Sequence, residues 1–157
     1  LYAAGTINRN HDYKSPLSFL ESTVKTMTPV PVSQREDPRF FEPVKNFYTT
    51  YKNLGILYQQ HNQPDQAIHA FTSALGYTPA YFSSNYATSI KALLATSLAR
   101  AGRSEQASLL LKEARPFADN PAVVDTRLGM VLRQLGCNPE ADAYVKQATM
   151  NGGRQDR

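Results

Sequence analysis

The sequence predicts an all-α chain built from stacked helix hairpins, and three features point there. Small and apolar residues recur at a fixed spacing, cap signals divide the recurrences, and glycines stand where interhelical turns are needed. Leu94-Ala95, Gly102, Ala107 and Ala114 return as Leu128-Gly129, Gly136, Ala141 and Ala148, each displaced by 34 residues. An earlier copy reads Tyr51, Leu54-Gly55, Tyr58, Ala67, Phe71, Ala74 and Pro79. From Ala67 to Ala107 the displacement is 40, so about six extra residues enter around 77–85. They are expected to lengthen the following helix at its N-terminal end.

The residue types suit helix-on-helix packing. Leu54 and Tyr58 share one helix face at i and i+4, and Gly55 lets a partner helix come close. Ala67 and Ala74 are small where two helices cross, and Phe71 fills the space between them. Pro79 stops the second helix. Asn120-Pro121 and Asn138-Pro139 each set a capping side chain before a proline at the first helical position. Ser104 is expected to cap the helix carrying Ala107, and Gly102 and Gly136 suit tight turns. Helices are expected near 44–61, 64–76, 80–101, 104–117, 121–135 and 138–150.

Residues 1–43 are less regular. Ser15-Pro16 opens a helix to about Thr26, with Phe19, Leu20, Val24 and Met27 on its apolar side. The run 28–38 holds Pro29, Pro31 and Pro38 and reads as an extended connection. One reading makes this region a degenerate hairpin, with Leu1 to about Asn10 and Pro16 to Thr26 as its helices, covering the apolar end of the stack.

These motifs resemble the tetratricopeptide family over roughly residues 44–150, with Tyr51 where that family more often has Trp. The resemblance implies a right-handed superhelical α-solenoid of about three hairpins (48–79, 80–121 and 122–150) behind a leading segment, 1–43, and before a polar tail, 151–157. In that family the first helix of each hairpin lines a concave groove that binds a protein or peptide. Carried over position by position, the groove is Thr49, Lys52, Ile56, Gln59 and Gln60, then Ser89, Ala92, Thr96, Ala99 and Arg100, then Val123, Thr126, Met130, Arg133 and Gln134. Ala92 and Ala99 leave room for an extended or helical peptide. Lys52, Arg100 and Arg133 favour an acidic segment or a terminal carboxylate. Chaperone-binding members clamp such a carboxylate with a Lys and an Asn on the first helix; Ile56 stands at the Asn position here, which argues against that role.

The stretch Arg9-Asn10, Asp12-Tyr13, Leu17, Phe19-Leu20 and Thr23 is similar to the segment after the last membrane span in polytopic glycosyltransferase-like proteins with tetratricopeptide tails. It implies a tail of a larger, membrane-anchored bacterial protein on the extracytoplasmic, periplasmic side, recruiting or orienting a partner or substrate. The first residue, Leu1, fits a segment of a longer protein. The alternative is a cytoplasmic scaffold, or the oligomerisation tail of a soluble enzyme or regulator. That tail would form a homodimer through an apolar solenoid end at Tyr144, Val145 and Met150.

Composition narrows the classes further. Hydrophobic residues at 41 % and charged residues at 19 % are ordinary for a globular domain, and no run approaches the roughly 18 apolar residues of a membrane span. The net charge of +4 is spread from Arg9 to Arg157 beside acidic residues, unlike the clustered face of a nucleic-acid binder. Cys137 is the single cysteine, so no internal disulfide forms. His11, His61 and His69 have no acidic partners at metal-ligand spacing, and no phosphate loop or hydrolase elbow occurs. No catalytic residue, metal site or cofactor is expected.

Overall fold

A computed structural model describes residues 15–152 of the chain. Among them are seven α-helices and no strand: α1 Pro16–Thr26, α2 Phe41–Gln60, α3 Pro64–Leu75, α4 Ser84–Arg100, α5 Ser104–Ala114, α6 Pro121–Gln134 and α7 Asn138–Gly152. Each helix packs on its neighbours in the chain, most extensively within α2–α3, α4–α5 and α6–α7. The first helices of successive hairpins also touch, α2 with α4 and α4 with α6. The expected Leu1–Asn10 helix, Arg9-Asn10, His11, Asp12-Tyr13 and most of the tail lie outside the described residues.

The three hairpin turns are built alike. Asn62, Gly102 and Gly136 have φ of 55°, 78° and 76°. After each, the next amide closes the helix end: Gln63 to the Tyr58 carbonyl (2.9 Å), Arg103 to Leu98 (2.8 Å) and Cys137 to Leu132 (2.9 Å). This is the left-handed C-terminal stop that glycine favours, and asparagine tolerates it best among the rest. The turns therefore keep the same spacing as the sequence repeat. Pro64 after the first turn, and Pro121 after the α5–α6 connection, open their helices where a missing N–H costs nothing, and the Asn120 side chain accepts from the Ala122 amide at 3.1 Å.

Packing between the paired helices depends on glycine at two crossings. A Cβ on Gly55 would lie 2.5 Å from Cε1 of Phe71, and one on Gly129 would lie 2.6 Å from Cγ2 of Val145. Phe71, Ile90, Leu111 and Leu128 are fully buried, each worth about 1.5–3 kcal/mol of transfer free energy. Asp125 is buried with them. Its carboxylate takes two hydrogen bonds from Arg115, at 2.5 and 3.1 Å, which pins the short 3₁₀ turn Arg115–Phe117 to α6.

Five expectations need correction. Asn138 is the first residue of α7 and not its cap, the Cys137 carbonyl taking the first helical bond from Ala141. The 28–38 connection is not extended throughout but carries a 3₁₀ turn over Val32–Gln34. The six inserted residues do not lengthen α4, which starts at Ser84 behind a Ser83 cap. They form a loop, because Tyr77 and Phe82 turn inward into an aromatic cluster with Phe47, Tyr48 and Tyr86. The helix expected over 104–117 ends at Ala114, where Pro116 denies continuation. Ser104 does not cap α5; its hydroxyl donates to the Gln134 side chain at 3.0 Å.

Candidate functional site

The first halves of α4 and α6, with the 118–120 connection, line a cavity of about 300 Å³. Three of the expected groove residues line it: Ser89 and Ala92 from α4, and Val123 from α6. Ala92 is small and buried, so it forms floor and not wall, while Val123 remains about half exposed. Further along the same face of α6, two turns on, Met130 is 62 % exposed. Thr126 of α6 is exposed and Ala99 of α4 half-buried.

Arg127 also lines the cavity and is absent from the expected set. Its Nη1 donates to the Ala92 carbonyl at 3.2 Å and to the Thr96 hydroxyl at 2.6 Å. Burial holds its pKa below the usual arginine value, because the charged form loses water. Among the described residues no carboxylate forms an ion pair with it. A guanidinium carries five N–H donors, more than the two acceptors seen here can satisfy. Its place one position before Leu128-Gly129, on an inward-facing stretch of helix, was the available sequence signal.

The charges expected to form a positive groove are engaged elsewhere. Arg133 pairs with Asp142 of α7 at 2.9 Å. Arg100 donates to the Gln59 carbonyl at 3.1 Å, at the end of α2. The Lys52 ammonium lies 5.9 Å from the centre of the Tyr48 ring. Two expected amides act as struts: Gln59 donates to the Leu93 carbonyl (3.0 Å) and Ser97 hydroxyl (2.7 Å), and Gln134 accepts from Ser104. Ile56 packs half-buried against the core, and Thr49 and Gln60 are exposed on α2 away from the cavity. Positive character at the site therefore comes from Arg127, with one acid nearby, Asp119, which is hydrogen-bonded to Asn85 across the rim.

The expected apolar end of the stack is smaller than the sequence suggests. Val145 sits against Gly129 and Tyr144 packs on the core, leaving Met150 as its exposed apolar member. His61 and His69 are exposed, as is the Cys137 thiol. No helix among the described residues is long and apolar enough to cross a membrane. No protein-family model matches the chain, and no curated protein matches it.

Proposed function

We propose that the chain is a tetratricopeptide-type interaction scaffold without catalytic residues, in which α2, α4 and α6 line one side of a superhelical stack and an acidic segment of a partner protein docks between α4 and α6. The observation that carries the reading is Arg127: a partly desolvated cation that forms no ion pair among the described residues, in a cavity floored by Ala92, walled by Val123 and rimmed by Asp119, which is held by Asn85. An incoming carboxylate would supply the charge-assisted hydrogen bonds that Arg127 lacks, while Val123 and Met130 take up apolar side chains beside it. The 34-residue repeat and the three identical turns support the stacked geometry.

The test is titration of the ¹⁵N-labelled chain with a short poly-glutamate peptide, followed by backbone amide shifts. Shifts should concentrate at Ala92, Thr96, Val123 and Arg127, weaken with salt, and vanish for a poly-glutamine peptide of equal length. Arg127→Gln should weaken binding roughly tenfold or more, the worth of a hydrogen bond to a charged group. Binding that is unchanged in Arg127→Gln, or absent in the parent chain, would refute the docking site.

For the setting of the scaffold, we propose the extracytoplasmic side of a larger membrane-anchored, glycosyltransferase-like protein. The support is the order Arg9-Asn10, Asp12-Tyr13 ahead of the repeats. A topology reporter fused to the C-terminal end of the full-length parent should be active only in the extracytoplasmic compartment. A cytoplasmic signal would leave the alternative of a cytoplasmic scaffold.

A further inference from the structure

Two irregularities of the sequence, the proline-rich connector before α2 and the residues inserted after α3, meet in space. The Arg35 guanidinium lies 4.0 Å over the Tyr77 ring, with Nη1 donating to the Gly76 carbonyl (2.9 Å) and Nε to the Val30 carbonyl (3.0 Å). In return, the Tyr81 hydroxyl donates to the Arg35 carbonyl (3.1 Å) and the Ala80 amide to the Glu36 carboxylate (3.0 Å). Val30 is buried in the core. The connector is therefore clamped from Val30 to Glu36.

α1, immediately before it, is held differently. Whereas α2 to α6 each bury at least four residues, α1 buries none. Between α1 and the first hairpin lies a cleft of about 390 Å³, walled by Val24, Tyr51, Leu54, Tyr58 and Ala70. Atoms facing such a space forgo dispersion contacts that close packing would give them. The Tyr58 hydroxyl reaches across it to the Glu21 carboxylate at 2.8 Å. At the other end of the helix, Met27 packs on the core.

We propose that α1 is a hinged lid. It lifts from α2 and α3 by turning about Met27, while the connector from Val30 onward stays clamped, and it uncovers the strip Tyr51, Leu54, Tyr58 and Ala70. Local opening of this kind needs few buried contacts and a fixed pivot, and both are present.

Hydrogen exchange of the whole chain, read by mass spectrometry, tests the hinge and the clamp separately. Amides of 17–26 should exchange at least about 100-fold faster than those of α2 and α4, while within 30–36 the amides of Gln34 and Arg35, which donate to the Pro31 and Val32 carbonyls, should exchange more slowly than those of α1. Tyr58→Phe should speed exchange in α1 roughly tenfold and leave 30–36 unchanged. Arg35→Ala should speed exchange in 30–36 and α1 together. Protection of α1 equal to that of α2 would overturn the lid. Acceleration of 30–36 by Tyr58→Phe would overturn the hinge at Met27, and unchanged exchange there in Arg35→Ala would overturn the clamp.

Discussion

Replacing Gly55 with Ala adds one methyl where the helix gives no space for it. In a solvent-facing helix this change is stabilising by about 1 kcal/mol, because glycine loses more backbone entropy on folding. Here the new carbon would stand 2.5, 2.7 and 2.8 Å from Cε1, Cδ1 and Cζ of Phe71. Carbon atoms rest at about 3.5–4.0 Å, so the ring must retreat by about 1 Å. Phe71 is fully buried between Ala67 and Ala74, also fully buried, and three ring atoms are struck at once. Overpacking of this kind costs about 1–3 kcal/mol, and the upper end applies when no rotamer relieves it. Offset by the propensity gain, Gly55→Ala should lose about 2 kcal/mol, or about 4–8 °C in Tm for a chain of this size. Urea and thermal unfolding followed by circular dichroism measure it. Phe71→Leu shrinks the ring and should partly relieve the clash, so the double variant should be more stable than the sum of the two losses. A neutral or stabilising Gly55→Ala, or strict additivity with Phe71→Leu, would falsify the close approach.

Two further outcomes follow from buried polar groups. Burial pushes the Tyr48 hydroxyl up to about 12, and burial together with the Glu21 hydrogen bond does the same for Tyr58. Both lie above the ordinary value of 10.0, so the neutral rings' contribution to stability is fully present below pH 10 and is lost as pH rises through 12. Tyrosinate absorbance should resolve a late class that merges with the rest in denaturant; a single class near 10 would contradict it. Arg115→Ala leaves the buried Asp125 carboxylate without its partner, which in a closed interior costs about 3–5 kcal/mol. Arg115 is about one-third exposed and water can replace it in part, so about 2–3 kcal/mol is expected in urea unfolding. Adding Asp125→Ala should recover most of that loss.

The helices were legible wherever their signals are local. Pro64 and Pro121 mark their helix starts, and Gly102 and Gly136 mark left-handed stops, because each acts through its own backbone angles. Residues 80–83 were misread as helix because their partners, Arg35 and Glu36, are more than 40 positions away. No periodicity within that stretch records them. The same limit governs the candidate site. Ser89, Ala92 and Val123 could be carried over because helix faces follow from spacing. Lys52 meets Tyr48 at i and i+4 of one helix, but the fates of Arg100 and Arg133 depend on the end of α2 and on Asp142, which no one-dimensional pattern pairs with them. Arg127 was missed for the converse reason: its value comes from an ion pair it does not make.

The fit of Arg35, Glu36 and Val30 against Gly76, Tyr77, Ala80 and Tyr81 sets how this architecture can be re-engineered. Hairpins that meet at one common spacing are interchangeable modules, to be duplicated or deleted in whole units. The second and third hairpins meet in that way, 34 residues apart. The first junction does not, since the connector is gripped by the inserted loop, which itself packs on α2 and α4. A chimera must carry residues 30–83 as one block, so that the connector keeps the loop that grips it.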